Sequence, residues 1–263
     1  MSTDTDRNFI EHLTWDEVGR RIDSGAAAIL PVGAGAKQHG FHLPMNTDRI
    51  QAEWLAARIA HRFDCLIWPT VSYGHYPAFV DYAGSISLSA PTFESLIEEI
   101  AAGVIGYGCR ALFVLDTGIS TLAPVDRALA RLDNSDALHL KIHDGPRYRR
   151  AAAKLSEQSH GSHADELETS RMLVLAPHLV DTARAEASPA LEHGTPGPLT
   201  PSDTTSPNYS RSGSFGDPTL ASRAKGEILI AAMVDDMLEQ ATAFLGATAA
   251  AKTRTSRQHR GAS

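Results

Sequence analysis

Side chains suited to metal binding or to acid/base chemistry are concentrated in residues 37–48. This stretch holds Lys37, His39, His42 and Asp48, and it follows an apolar run and precedes a helical pattern. Open α/β sheets bind ligands at this kind of position. Imidazole and carboxylate groups bind Zn, Mn or Fe, so His39 and Asp48 are candidate metal ligands. The alternative is that Asp48 only caps its helix and His42 only packs beneath the loop.

A second cluster lies at residues 159–170, where two histidines and three carboxylates surround the start of a predicted helix. His163 is a candidate general acid or base, and Glu168 is a candidate metal ligand or second base. Acidic side chains are favoured in the first turn of a helix. We therefore interpret Asp165 and Glu166 as ordinary helix-start residues.

A third candidate segment, residues 116–121, follows an apolar strand pattern. Turns of this kind expose backbone N–H groups and hydroxyls to a substrate, so we expect Asp116 and Ser120, together with His42, to contact it. The segment contains neither a GxGxxG pattern nor a phosphate-binding loop, which gives no support for a nucleotide.

Alternating strand and helix patterns must position these three segments. Apolar runs predict strands at 26–32, 65–71, 85–88, 111–115 and 138–142. Amphipathic patterns predict helices at 14–24, from 46 onward, and at 91–106, 124–132, 166–175 and 221–244. This alternation indicates an α/β fold with a mostly parallel sheet covered on both faces. We expect one domain over residues 1–251 and a basic, disordered tail at 252–263.

The composition argues against several classes of protein. The chain has 24 basic and 31 acidic residues and a net charge of −7, which is unsuited to binding nucleic acid. It lacks the long apolar run of a membrane span and the N-terminal pattern of a signal peptide. Its two cysteines, Cys65 and Cys109, argue against a disulfide framework. We therefore expect a cytoplasmic protein that binds a small molecule and neither nucleic acid nor membrane.

Four motifs, in order along most of the chain, resemble those of the creatininase (creatinine amidohydrolase) family. They are PVGAGAKQHGFHLPMNTD at 31–48, YG at 73–74 with YAGSISL at 82–88, HADELETSRML at 163–173, and GDPTLASRAKG at 216–226. The resemblance implies a creatininase-like layered α/β/α fold and assembly into homo-oligomers, often hexamers. It also implies metal-dependent hydrolysis of cyclic amides, formamides and related C–N bonds.

The sequence departs from the family pattern at the metal ligands. The family's glutamate before Gln-His-Gly is here Lys37, and its ligating histidine after the central strand is here Gly118. Ser120 occupies the position of a second ligating glutamate. The resemblance leaves a metal set of His39, Asp48 and Glu168. We expect one divalent ion (Zn, Mn or Fe) or none, because a Lys37 ammonium would compensate the Asp48 carboxylate where a metal otherwise would.

Two classes of function remain open. The first is an amidohydrolase-type enzyme acting on a C–N bond of a small cyclic amide, lactam or formamide with a reduced or absent metal centre. Its catalytic residues would be His163, Lys37 and Glu168, with His163 the base and Lys37 the oxyanion stabiliser when no metal is bound. A metal-free descendant could also close or rearrange a ring. The second class is a non-catalytic protein that binds a small molecule or a catalytic paralogue.

Overall fold

A four-stranded parallel sheet forms the centre of the computed structural model. The structure describes residues 7–132, 136–188 and 197–260, and it describes side chains as far as residue 250. The strands lie in the order β2-β1-β3-β4. They are β1 (Ala27–Val32), β2 (Cys65–Ile67), β3 (Leu112–Asp116) and β4 (Ala137–Lys141). Every residue of the first three is buried, as expected of a parallel sheet covered on both faces.

Helices cover both faces of this sheet and give the expected layered α/β/α architecture. They are α1 (Trp15–Asp23), α2 (Thr47–Arg62), α3 (Ala90–Gly106), α4 (Leu122–Arg131), α5 (Pro146–Leu155), α6 (Glu166–Leu175) and α7 (Arg223–Arg260). Side chains on successive strand residues point to opposite faces. Accordingly Ala27 and Ile29 pack with α2 and α7, whereas Ala28 and Leu30 pack with α3 and α4.

Several sequence-based boundaries differ from the structure. The strand predicted at 65–71 ends at Ile67, because Pro69 has no N–H to continue the ladder. Residues 85–88 form no strand: the Ile86 and Leu88 N–H groups donate instead to loop carbonyls at 36 and 74. Helix α5 was not predicted, since its sequence is highly charged and Tyr148 is its buried residue.

The last helix is longer than the predicted 221–244 and continues through residues 252–260, where we expected a disordered tail. Residues 247–251 are alanine-rich, and neither glycine nor proline follows Gly246 before the helix ends, so its sequence favours continuation. Residues 261–263 lie outside the described part of the chain. Among the described residues, no helix is both long and apolar enough to cross a membrane.

Candidate active site

A cavity of about 600 Å³ lies where the carboxyl ends of β1 and β3 meet α5 and α6. Its walls include polar side chains from the first two candidate segments and from two helices. Among them are Lys37, Asp48, Tyr148, His163, Glu168 and Arg171. The chain thus brings a lysine, an arginine, three histidines and three carboxylates to the walls of one cavity.

Lys37 and Asp48 form a buried ion pair at the cavity wall. The Lys37 Nζ atom lies 2.6 Å from Asp48 Oδ2, and the two side chains are 7% and 2% exposed. The approach lacks the alignment of a hydrogen bond, so the contact is one between charges. The ammonium also lies 5.3 Å and 5.2 Å from the ring centres of Tyr76 and Phe79. Burial raises the pKa of Asp48, but Lys37 and His39 outweigh it and hold that pKa well below its ordinary value.

His39 is fixed between the backbone and Asp48. Its Nδ1 atom lies 2.9 Å from the carbonyl oxygen of Lys37, and because a carbonyl only accepts, Nδ1 carries the proton. Its Nε2 atom lies 3.2 Å from Asp48 Oδ1. In the neutral ring Nε2 is also an acceptor, so Nε2 and Asp48 Oδ1 together are suited to binding a cation.

His163 has the opposite tautomer to His39, and it is likewise held by a hydrogen bond to a backbone carbonyl. Its Nε2 lies 2.9 Å from the carbonyl oxygen of Gln38 and donates to it. The Gln38 amide nitrogen is 3.2 Å from the same atom but donates to the Gly213 carbonyl at 2.8 Å. Burial, reinforced by Lys37, lowers the pKa of His163 well below 6.5. The ring is therefore neutral, and its Nδ1 lone pair faces Glu168 Oε2 at 4.0 Å.

Glu168 is held by neutral donors. Its Oε2 accepts from the Ala164 N–H at 2.8 Å, and its Oε1 accepts from Gln51 Nε2 at 3.1 Å. Ala164 has a positive φ of 48°, which is uncommon for a residue other than glycine and turns the chain at this point. Burial raises the pKa of Glu168, but His39 and Arg171 outweigh it and lower that pKa.

Arg171 and its partners were missed by the sequence analysis. The guanidinium is buried, its Nε donates to Gln51 Oε1 at 2.7 Å, and its Nη1 donates to Tyr148 Oη at 2.7 Å. Its Nη2 lies 3.7 Å from Glu168 Oε1. An arginine inside the third motif was the available signal, but nothing in that motif showed that it would be buried.

The donor set fits one divalent cation. Ligand atoms of His39, His163 and Glu168 all lie within 4.8 Å of one another, and all three residues are buried. The other ring nitrogen of each histidine is anchored on a backbone carbonyl, as is usual for metal-binding histidines. A second ion of the family type does not fit, because an ammonium occupies Asp48 Oδ2 and position 118 is a glycine.

The turn after β3 is held by hydrogen bonds of its own polar side chains. Asp116 Oδ1 accepts from the Gly118 N–H at 2.9 Å and from Thr121 Oγ1 at 2.8 Å. Ser120 lines the cavity, and its hydroxyl donates to the His75 carbonyl at 2.7 Å. A Cβ atom added at Gly118 would lie 2.4 Å from Thr121 Oγ1. This turn is therefore built around a glycine.

The eight sequence-predicted site residues fall into two groups. Lys37, His39, Asp48, His163 and Glu168 come together, and Ser120 lies on the cavity wall. Asp116 and His42 are not among the cavity-lining residues; His42 Nε2 lies 2.8 Å from Thr169 Oγ1, and burial lowers its pKa to about 4. Their predicted contact with substrate has no counterpart in the geometry of the cavity.

Comparisons with known proteins agree with the motifs. A family model described as creatinine amidohydrolase matches residues 11–241. The creatinine amidohydrolase of Pseudomonas putida is 26% identical over 258 residues, covering 88% of this chain and 95% of that protein. A mycofactocin precursor peptide peptidase of Mycolicibacterium smegmatis is 28% identical over 224 residues, covering 79% of this chain and 81% of the peptidase.

Solved creatininases have the same fold. A manganese form of creatininase superposes with a TM-score of 0.74 at 25% identity, covering 89% of this chain and 96% of that chain. A Zn–Zn form of a creatininase mutant gives a TM-score of 0.72 at 25% identity, covering 91% and 97%. The chain therefore belongs to the creatininase family, a family of hydrolases.

Proposed function

We propose that this chain is an amidohydrolase that breaks a C–N bond of a small cyclic amide, lactam or formamide. The observation that carries the proposal is the convergence of His39, His163 and Glu168 beside a cavity of about 600 Å³. The ammonium of Lys37 faces the same cavity. Anchored imidazoles, a carboxylate and a fixed positive charge are the groups that attack on an amide carbonyl requires.

Lys37 stabilises the oxygen of the amide carbonyl, which becomes negative when the carbonyl is attacked. Its ammonium is buried, so its charge acts in a medium that screens it little. Asp48 holds this ammonium in place through Oδ2. Ser120, on the same cavity, is the remaining sequence-predicted contact for the substrate.

One divalent ion, Zn, Mn or Fe, would be held by His39, His163 and Glu168, with Asp48 Oδ1 next to His39 as a further donor. Such an ion supplies Lewis acidity that polarises a carbonyl and acidifies water. Gln38 and Lys37 support it indirectly, because their backbone carbonyls fix the tautomers of the two histidines.

A metal-free reaction is the second candidate, because the buried charges balance without an ion. Lys37 compensates Asp48 at 2.6 Å, and Arg171 lies 3.7 Å from Glu168. Neutral His163 is then the base: its Nδ1 takes a proton from water as the water oxygen bonds to the carbonyl carbon, and Glu168, 4.0 Å away, stabilises the resulting imidazolium. The imidazolium then gives this proton to the amide nitrogen as the C–N bond breaks, and His163 is neutral again. The same residues would serve ring closure or rearrangement of an amide.

Metal analysis of the purified protein, combined with an amide panel, tests the proposal. We expect one divalent ion per chain to survive dialysis, and hydrolysis of a lactam or formamide to stop when a chelator removes it. His39→Ala should lose both the ion and the activity. His178→Ala, which changes an exposed histidine, is the matched control and should keep both.

The outcomes separate the candidates. Activity retained in a folded His39→Ala protein contradicts the metal-dependent proposal. Turnover in wild-type protein free of metal, lost in Lys37→Met, supports the second candidate. A protein that binds amides but transforms none of them would be the non-catalytic descendant.

The family resemblance also supports a homo-oligomer, with a hexamer as the expected form, acting on a small molecule in the cytoplasm. Sedimentation velocity of the full chain tests this assembly. A monomer at micromolar concentration would contradict it.

A further inference from the structure

Arg171 has hydrogen-bonding capacity directed at the cavity. Its guanidinium is 3% exposed, and its Nε and Nη1 atoms donate to the neutral side chains of Gln51 and Tyr148. The contact from Nη2 is with Glu168 Oε1 at 3.7 Å, which is longer than a hydrogen bond. A guanidinium has five N–H donors, so Nη2 retains N–H groups at a cavity that Arg171 lines.

Glu168 does not accept a hydrogen bond from the Arg171 guanidinium. Its two oxygens already accept from the Ala164 N–H and from Gln51 Nε2. The other carboxylate near this end of the cavity is Asp165, whose oxygens accept from the Glu168 N–H at 2.9 Å and from Gln158 Nε2 at 2.7 Å. Both acidic neighbours of Arg171 are thus satisfied by other donors.

Tyr148 contributes a second donor beside Arg171. Its oxygen accepts from Arg171 Nη1, which leaves its own O–H hydrogen to donate elsewhere, and the residue lines the cavity. Burial raises the pKa of Tyr148, so the phenol keeps its proton. His143, whose ring centre lies 5.6 Å from that of Tyr148, is neutral because burial and Arg171 lower its pKa to about 4.

We propose that Arg171 and Tyr148 form a carboxylate-binding subsite, so that the substrate is a small amide that itself carries a carboxylate. This inference rests on the proposed function. A guanidinium is planar and matches the geometry of a carboxylate, which favours this anion over one without a flat pair of oxygens. Neither Arg171 nor Tyr148 would touch the reacting atoms; both are specificity-determining residues.

The spacing limits the distance between the two groups of the substrate. Glu168 separates the subsite from the reacting residues, with Oε1 3.7 Å from Arg171 Nη2 and Oε2 4.0 Å from His163 Nδ1. The carboxylate and the amide carbonyl must therefore lie within the same small molecule, a few bonds apart. Lactam carboxylates and N-formyl amino acids have this arrangement.

Calorimetric titration with a matched pair of lactams tests the subsite. The pair is 5-oxoproline and 2-pyrrolidinone, which share a ring and differ by one carboxylate. We expect wild-type protein to bind 5-oxoproline about 10–100-fold more tightly, the range for a hydrogen bond to a charged group. Arg171→Met should remove this preference, whereas Arg150→Met, a change on the exposed face of α5, should leave it intact.

Two further variants keep the test decisive if Arg171→Met does not fold. Arg171→Lys retains the charge without the planar fork and should lose part of the preference. Tyr148→Phe removes one hydroxyl and should lower it several-fold. Equal binding of both lactams by wild-type protein, or an unchanged preference in the folded variants, overturns the subsite.

The same titrations separate this inference from the proposed function. A preference for 5-oxoproline without hydrolysis of any amide supports the subsite and contradicts the proposed hydrolase. Hydrolysis of uncharged lactams, with equal affinity for both members of the pair, supports the hydrolase and contradicts the subsite.

Discussion

Two buried carboxylates of the site, Asp48 and Glu168, are held in different ways. In the β1 half of the site, defined as Lys37, His39 and Asp48, the carboxylate is compensated directly by an ammonium at 2.6 Å. In the α6 half, defined as His163, Glu168 and Arg171, the carboxylate is bound by two neutral donors, and the cation lies 3.7 Å away. The Lys37 cation is therefore compensated by its own carboxylate, whereas Arg171 keeps N–H groups at the cavity that no carboxylate of the described residues binds.

This difference indicates that the two halves of the site have different roles. A directly paired ammonium keeps a buried carboxylate charged and supplies a fixed positive charge at the reacting centre. A buried guanidinium whose nearest acid is satisfied by other groups is suited to recognising a ligand. Stability should therefore depend mainly on the β1 half, and ligand preference on the α6 half.

The largest expected effect is on stability, from Lys37→Met. The change leaves Asp48 as a buried charge without its partner, which costs about 3–5 kcal/mol. Chemical denaturation measures the free energy of unfolding of the variant and of wild type. Lys154→Met, on the exposed part of α5, is the control and should change it by less than about 0.5 kcal/mol.

A double variant checks the cause of this loss. Lys37→Met combined with Asp48→Asn removes both charges and should restore most of the lost stability, because no uncompensated carboxylate remains. If the double variant were as unstable as Lys37→Met alone, packing of the lysine chain rather than its charge would be responsible. The contrast between the two halves would then fail.

A smaller loss of stability than that of Lys37→Met is expected from Arg171→Met. The change removes two hydrogen bonds, to Gln51 and Tyr148, but leaves both oxygens of Glu168 with their neutral donors. We expect a cost of about 2 kcal/mol, smaller than that of Lys37→Met in the same denaturation assay. A cost as large as that of Lys37→Met would show that Glu168 depends on Arg171 as closely as Asp48 depends on Lys37.

Much of the fold was predictable because its elements have strong local patterns. The bounds of α6, Glu166–Leu175, match the prediction, and β1 and β3 differ from it by one residue at one or both ends. Helix α5 was not predictable in this way, since Tyr148 is its buried residue and most of its other positions are charged or alanine. What places Tyr148 in the interior is a tertiary contact with Arg171.

The site also has a part that local sequence predicts and a part that depends on tertiary contacts. The sequence places Lys37, His39 and Asp48 within one loop and helix start, so their proximity follows from local chain geometry. The α6 half depends on Gln51, which contacts both Glu168 and Arg171 from a helix about 120 residues earlier. No local pattern encodes that contact. The metal ligands were predicted as His39, Asp48 and Glu168, whereas the structure groups His39, His163 and Glu168.

Acid should weaken the protein through two histidines near the site, His42 and His143. Burial lowers the pKa of His42 and of His143 to about 4, whereas unfolded histidines take up protons near 6.5. Below pH 6.5 the unfolded state binds more protons, so the free energy of unfolding falls between about pH 6.5 and pH 4. His42, buried beneath its loop, should account for about 2–3 kcal/mol of this loss, and half-buried His143 for less. Denaturation of His42→Asn at pH 7 and pH 5 measures the share of His42; an unchanged pH dependence would contradict it.

The smallest expected effect tests the electrostatics of the α6 half on its own. Arg171 is one cause of the lowered pKa of His143 but not of that of His42. In Arg171→Met the pKa of His143 should therefore rise from about 4 toward 6.5, and burial should keep it from reaching that value. The pKa of His42 should stay at about 4 and serves as the internal control in the same NMR titration. Equal shifts at both histidines would mean that the variant loosens the whole site, because the Arg171 charge lowers the pKa of His143 and not that of His42.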